Sequence, residues 1–336
     1  LPHPYKGLHS KKYEWVDEKV WYYRRSFELP ASARDSYVFL CFDGIDYYSR
    51  VWLNGALLGE HQGMFGGPVI EVSQAVRYGA SNELVVEVKA GNWGAKKTWN
   101  PRATGTVIKP WVLAGGTGAE AFFPLGMWRG ARLEIVPRTH LERPFLVTRE
   151  AGPREAHVSL SLEVLSGVHS LQSELHPWKG TQLRNYRDAW TSRPVRPSHA
   201  LQIQFGPAFR EPVPLQLYEG RNWVRHELRI PSPKLWWPNG MGDPHLYRVK
   251  LTLLREGTPL DTLELDYGLR TIQTLPTPGP RPQDRWADWQ LVINGRPQFV
   301  KGVNWMPADL LLDLPRERYR WLLGLARAAG IQMIRI

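Results

Sequence analysis

The chain has 336 residues, 43% of them apolar and 22% charged, with a formal net charge of +11. That length accommodates two or three domains, each with its own core, in the composition of an ordinary globular protein. No apolar run approaches the roughly 20 residues that a membrane span needs, and the positive charge is scattered rather than gathered into the runs or stripes of a nucleic-acid surface. Neither membrane nor nucleic acid is therefore expected as a partner.

The single cysteine, Cys41, excludes an intramolecular disulfide framework. It lies within the apolar run 37–42 and reads as a small buried hydrophobe. The opening LPHPYKGLHSKK is no signal peptide, so a cytoplasmic location is expected. Because residue 1 is Leu rather than Met, a removed targeting segment, and with it secretion, stays open. Sixteen tryptophans are more than core filling asks for, and exposed rings stack well on sugar faces.

To about residue 140 the pattern is all-β. The stretch VWLNGALL (51–58) places two short strands around Asn54 and Gly55, the strongest local signal of a type I′ hairpin. Further on, Leu84, Val86 and Val88 share one face of a strand. The run 37–42 is apolar at every position, as a strand covered on both sides requires. Many short strands with Gly-rich turns predict a sandwich or jelly roll. Between Ala90 and Gly130 the pattern gives way to a long loop rich in Gly, Trp and Pro, and loops of that length inside a domain are usually functional.

A second all-β section follows. Residues 158–164, 249–253 and 263–267 alternate cleanly, and roughly seven strands over this length fit an immunoglobulin-like sandwich. Residues 166–199 lack that periodicity and read as an inserted loop. The Pro-rich stretch 274–282 marks a boundary. Beyond it, LVINGRPQFV (291–300) predicts a second Asn-Gly hairpin. A helix is then expected, with Pro315 in its first turn, Tyr319, Leu322, Leu323 and Ala326 as its apolar stripe, and Gly330 as its C-terminal cap. The chain closes on a strand at 331–336. Parallel βα units bury their strands only within a larger sheet or barrel, so the chain is expected to be the front part of a larger protein.

Two sandwiches followed by a βα unit is an unusual order, and the residues carry a resemblance to match. WYYRRSF (21–27), FDGID (42–46), VWLNG (51–55), Leu58 with Gly59, HQGMF (61–65) and GMWRG (126–130) resemble the jelly-roll domain of glycoside hydrolase family 2. LWWPNG (235–240) with Leu246 and Tyr247, and YGLRTI (267–272), are similar to its immunoglobulin-like domain. NGRP (294–297) with VKGVNWMPAD (300–309) looks like the start of its catalytic (β/α)8 barrel, in wording closer to the β-mannosidase and exo-acting branch than to the galactosidases. The shared order of these motifs carries the assignment. One departure stands: the mannosidases' Trp-Asp-Trp-Gly-Pro stretch has no counterpart in GAEAFFP (118–124). Whether Glu120 substitutes for its aspartate is open, as is the sugar.

The resemblance implies a mainly β chain in three parts. These are a jelly-roll, galactose-binding-like domain over 1–140, an immunoglobulin-like β-sandwich over 141–275 with its insertion near 166–199, and the opening strands and helix of an incomplete barrel over 276–336. It implies a retaining exo-acting β-glycosidase, mannosidase-like, with β-galactosidase, β-glucuronidase or exo-glucosaminidase as same-family alternatives. Retaining hydrolysis needs two carboxylates about 5–5.5 Å apart, and in the family both belong to later barrel strands. No catalytic residue is therefore expected in this chain, and Glu120 and Asp309 are not offered as a pair.

Substrate contacts are expected from Asn304, Trp305 and Asp309, just past the first barrel strand, and from Arg335 on the second, since strand C-terminal ends face a barrel's site. An arginine matching Arg335 looks in the family to hold the nucleophile carboxylate, orienting it and keeping it ionised. Local readings compete: an ordinary strand charge for Arg335, core filler for Trp305, and turn or cap roles for Asn304 and Asp309. No cofactor or metal is expected, because the ten histidines lack metal-ligand spacing and no Gly-rich phosphate loop precedes a helix. Carbohydrate and the rest of the barrel are the expected partners, and homo-oligomerisation stays open. From another class, a stand-alone carbohydrate-binding module built on two sandwiches competes with the enzyme reading.

Overall fold

Alternation of apolar and polar side chains places one face of the longer strands in a core, and each of two sandwiches is built around one. The computed structural model describes residues 9–13, 15–90, 125–166, 195, 198–207, 209–277, 289–305 and 314–336. Glu120, Asp309, most of the loop expected after Ala90 and most of the insertion near 166–199 lie outside the described residues. The chain divides into two units, the first running to Val136 and the second starting at Pro137.

The first unit comprises β1 (Trp21–Glu28), β2 (Ser36–Phe42), β3 (Ile45–Asp46), β4 (Tyr48–Leu53), β5 (Ala56–Gln62), β6 (Val69–Glu71), β7 (Ser81–Lys89), β8 (Gly126–Met127) and β9 (Ala131–Pro137). Its sheets run β1-β7-β4-β5, β6-β2-β9 and β3-β8. Val51 and Leu53 of β4 and Val86 and Val88 of β7 pack with Val38, Leu40 and Phe42 of β2 in one core. The other face of β2 buries Tyr37, Phe39 and Cys41. That strand is covered on both sides, as its unbroken apolar run predicts. Burial pushes the Cys41 thiol up to about 11, which suits an inert packing residue.

The β4–β5 connection is the expected two-residue hairpin. Leu53 and Ala56 are register partners, and Asn54 and Gly55 both have positive φ (52° and 86°), the backbone that type I′ turns demand and that Asn and Gly tolerate best. The Asn54 amide nitrogen donates to the Ala75 carbonyl and to Asn82 Oδ1, both at 2.9 Å. The turn is thus tied to the segment entering β7.

The second unit contains β10 (His140–Ala151), β11 (Glu155–Ser166), β12 (His199–Phe205), β13 (Phe209–Leu215), β14 (Gly220–Pro231), β15 (Tyr247–Arg255) and β16 (Thr258–Tyr267). Sheet β10-β11-β14 faces sheet β13-β12-β15-β16, an order that fits the immunoglobulin-like expectation. Leu160, Leu162 and Val164 of β11 meet Leu201, Ile203 and Phe205 of β12 and Val249, Leu251 and Leu253 of β15 in a shared core. These are the alternate residues of each strand, so the period-two pattern alone assigns the inward face.

One end of this sandwich buries charge. His140, 2% exposed, holds the Pro137 carbonyl at 2.8 Å through Nδ1 and Glu142 Oε1 at 3.2 Å through Nε2. Glu163, 1% exposed, is gripped by Arg143 at 3.1 Å and by Arg221. Arg221 also lies 3.9 Å from Glu142. Burial alone would raise the Glu142 carboxyl, but the His140 hydrogen bond and charge, with the Arg221 and Arg143 charges, outweigh it and leave the group below its ordinary 4.5. A carboxyl held below its unfolded value stabilises the fold above that value and loses its contribution as pH falls through the folded-state value. Stability measured by denaturant titration should therefore decline as pH drops below 4.5, and Glu142→Gln should flatten that acid limb. An unchanged slope in the variant would remove Glu142 from the acid response.

Candidate functional site

After the second sandwich the strands shorten and one pairing becomes parallel. β17 (Ile272–Pro276) pairs antiparallel with β18 (Trp289–Ile293), and a turn leads from β18 into β19 (Arg296–Gln298). Asn294 and Gly295 in that turn both have positive φ (49° and 75°), so the second Asn-Gly hairpin also forms as expected. β20 (Gly302–Asn304) then pairs in parallel with β21 (Met333–Arg335), with helix α1 (Arg316–Ala328) between them in sequence.

Helix α1 begins just after Pro315, whose missing N–H costs nothing at a helix start. It ends where Gly330 takes φ 73°. There Ile331 N donates to the Ala326 carbonyl and Gly330 N to the Arg327 carbonyl, both at 3.0 Å, the paired bonds of a Schellman cap. Tyr319, Leu322 and Ala326 are half-buried, as the expected stripe requires. Leu323, also assigned to the stripe, is 46% exposed, and Trp321 and Leu325 are exposed with it. No residue of α1 is fully buried. Val303 and Met333, on the paired strands, are likewise exposed.

The strand ends gather three of the expected residues. Asn304 closes β20, Arg335 closes β21, and the two are register partners. Trp305 follows directly, and its N–H donates to the Arg335 carbonyl at 2.7 Å. The Trp305 ring is half-buried and stacks on Tyr319 of α1, with centroids 6.1 Å apart and planes inclined by 18°. Asn304 and Arg335 are exposed. Asp309, the fourth residue, lies outside the described residues.

A set of amide hydrogen bonds holds this edge in register with the end of the sandwich. The Asn294 amide nitrogen donates to the Trp236 carbonyl at 3.0 Å, and its oxygen accepts from Thr271 N at 2.9 Å. The Asn239 amide nitrogen donates to the Arg327 and Ile331 carbonyls at 2.9 and 3.2 Å. Gln332 returns a bond from its amide nitrogen to the Asn239 carbonyl at 3.1 Å, and its oxygen accepts from Lys301 N at 3.1 Å. Arg270 and Arg296 lie over Trp236 and Trp237, 4.6 and 5.0 Å from the ring centroids.

Sequence reasoning named Asn304, Trp305 and Arg335 and placed Tyr319 only in the apolar stripe of the helix; it did not single out the side chains of Asn239 and Gln332, which bond around this edge. The motif LWWPNG (235–240) was the available signal, although nothing in its spacing says what Asn239 touches. Chemically, the edge offers a guanidinium, an amide and an indole. That set can orient an anion and present an apolar ring to a sugar face.

Asn239→Ala would remove one of two donors from the Arg327 carbonyl and the Asn239 donor from the Ile331 carbonyl, at a cost of about 0.5–1.5 kcal/mol. The expected readout is faster amide hydrogen exchange over 326–335 with the β11, β12 and β15 core unchanged. Equal acceleration in both regions would show that Asn239 does not act locally.

Comparison with known proteins gives a consistent result. The family pattern described as Glycosyl hydrolase 2 galactose-binding domain-like matches residues 1–111, and the pattern described as Glycosyl hydrolases family 2 matches residues 139–270. Beta-mannosidase B of Aspergillus fumigatus is 26% identical over 349 residues, covering 100% of this chain and 38% of the relative. Beta-mannosidase B of Aspergillus terreus is 28% identical over 356 residues with the same coverage, 100% and 38%. Among solved structures, a β-D-mannosidase from Dictyoglomus thermophilum superposes with a TM-score of 0.77 at 26% identity, covering 100% of this chain and 39% of that one. A putative β-galactosidase from Bacteroides fragilis gives 0.67 at 18% identity, covering 94% and 41%, a likeness of fold alone. The chain thus spans about two fifths of the length of the curated relatives it matches.

Proposed function

Because this chain belongs to glycosyl hydrolase family 2, we propose that it is the noncatalytic N-terminal part of a longer retaining β-glycosidase, exo-acting and mannosidase-like. The observation that carries the reading is the parallel β20–β21 pair, with Asn304, Trp305 and Arg335 gathered at its C-terminal edge. In this reading the pair forms the first two strands of a (β/α)8 barrel, and the segments 1–140, 141–275 and 276–336 are the jelly-roll domain, the immunoglobulin-like domain and the barrel's opening. The exposed apolar side chains of α1, β20 and β21 support it, since parallel strands are ordinarily buried on both faces. The β-mannosidases that align over the whole chain support mannose as the sugar.

The chemistry assigns roles accordingly. A retaining glycosidase uses one carboxylate as nucleophile and another first as acid and then as base, across a covalent glycosyl intermediate. Both carboxylates belong to the remainder of the barrel. Arg335 orients the nucleophile through its planar fork and, by its charge, keeps that carboxyl ionised. Trp305, braced from beneath by Tyr319, presents an indole face to the sugar, and Asn304 and Asp309 hydrogen-bond its hydroxyls. The sandwiches bind or brace and perform no step of the reaction.

Two experiments test this. The 336-residue chain alone should leave aryl β-mannosides intact, while the longer protein that contains it cleaves them in preference to the galactosides, glucosides and glucuronides. Turnover by the chain alone would overturn the noncatalytic reading, and a preference for another glycoside would overturn the mannosidase assignment. In the longer protein, Arg335→Lys should lower kcat on the order of 100-fold with little change in KM, because the interaction lost is worth most in the transition state. The acid limb of its pH profile should also shift upward, as the nucleophile loses the guanidinium's paired hydrogen bonds, which favour its charged form. A change in KM alone would reassign Arg335 to simple substrate binding.

A further inference from the structure

Three residues before Arg335 stands a side chain whose bonds fix where β21 begins. Strand pairing alone does not do this. Backbone groups repeat along a strand, so a slipped pair makes the same kinds of hydrogen bond as a correct one. Register is pinned where one face is buried, because a one-residue slip turns every side chain to the other face. Among the described residues β20 and β21 lack that protection. Each is three residues long, and Val303 and Met333 are 41% and 46% exposed. A slip of β21 by one residue turns Arg335 away from the face it shares with Asn304.

Side-chain bonds do distinguish the registers, and Gln332 supplies two of them. Its Oε1 accepts from Lys301 N and its Nε2 donates to the Asn239 carbonyl, both at 3.1 Å. The Lys301 carbonyl in turn accepts from Gln332 N at 2.9 Å and from Met333 N at 3.2 Å. Gln332 therefore engages both backbone groups of Lys301. The Asn239 amide holds the Ile331 carbonyl at 3.2 Å, so residues 331 and 332 are both tied to one residue of the sandwich. From there the ladder runs on: Gly302 faces Met333, Val303 faces Ile334 and Asn304 faces Arg335. Trp305 N closes it on the Arg335 carbonyl at 2.7 Å.

We propose, resting on the glycosidase reading above, that Gln332 is a positioning residue for the reaction: its amide sets the register of β21 and thereby the place of the Arg335 guanidinium. Gln332 does not touch substrate. Counting by two from Arg335, it falls on the other face of the strand, where both of these bonds go to backbone. An amide suits the role because it donates and accepts at once. Lys301 N needs an acceptor and the Asn239 carbonyl a donor; a carboxylate serves only the first and an ammonium only the second. The link also gives the second sandwich a part in the reaction, running from its LWWPNG turn (235–240) through Gln332 to Arg335.

Steady-state kinetics of the longer protein on an aryl β-mannoside test this. A misplacement of about 1 Å can cost on the order of 100-fold in rate, but the remaining strands of the barrel also hold β21. Gln332→Met should therefore lower kcat on the order of 10-fold, with KM changed less than about two-fold. In the Arg335→Lys background the same substitution should lower kcat by less than about two-fold more, because the group that Gln332 positions is already gone. A merely structural role gives the opposite result, since a loss of folded enzyme multiplies with the effect of Arg335→Lys. An unchanged kcat in Gln332→Met, or multiplicative losses, would overturn the proposal. If Gln332→Met does not fold, Gln332→Glu is read in the same way: it keeps the shape and the acceptor for Lys301 N but cannot donate to Asn239. The two readings fail separately. A normal kcat in Arg335→Lys overturns both, whereas a loss in Arg335→Lys beside a normal Gln332→Met overturns only the role of Gln332.

Discussion

A cluster of amide hydrogen bonds around residues 236–239 sets what the second unit can present. Trp236 is held through its own N–H by the Leu269 carbonyl at 2.9 Å and through its carbonyl by Asn294. Asn239 adds a donor to the Arg327 carbonyl in the last turn of α1 and another to the Ile331 carbonyl just beyond it. Gln332 then reaches back to the Asn239 carbonyl and bonds Lys301 at the start of β20. One short turn thereby fixes the sandwich's last strands, the second Asn-Gly hairpin, the helix end and the parallel pair. The positions of Asn304, Trp305 and Arg335 follow from it.

Such bonding has to be strong here because packing is weak. The sandwich buries Leu160, Leu201, Leu251 and their neighbours completely, so its register is enforced by the cost of turning an apolar face outward. β20 and β21 have no comparable core, and α1 offers only a half-buried stripe. An edge that must hold polar groups in place without a core depends on directional bonds and on the Trp305–Tyr319 stack. In the proposed enzyme that dependence is relieved once the remaining strands cover the apolar side chains.

Local chemistry was legible from the residues and long-range chemistry was not. The two Asn-Gly turns need positive φ at both central positions, and few residue pairs accept that, so Asn54 with Gly55 and Asn294 with Gly295 announced themselves. Three strands of the second sandwich were readable because period-two alternation is written directly along β11, β15 and β16. The Gly330 cap was readable for the same local reason. Tyr319 beneath Trp305, Asn239 on the end of α1, and the knot of His140, Glu142, Glu163 and Arg221 join residues far apart in the chain, and no spacing rule encodes such pairs. Leu323 shows the limit from the other side: it has the helical spacing of a buried residue, yet burial depends on what lies opposite it.

The two units treat buried polarity in opposite ways, and the contrast bears on what each is for. In the second, Glu163 and Glu142 are surrounded by Arg143, Arg221 and His140. Charge there is matched within the protein, and removing one member exposes the others to an unpaired burial cost. In the first, Asp46 Oδ1, Ser49 Oγ and His61 Nε2 are buried without a protein partner among the described residues. A matched network is a rigid anchor. The anchor lies in the unit that carries the Asn304–Arg335 edge, where precision in placing a guanidinium matters most.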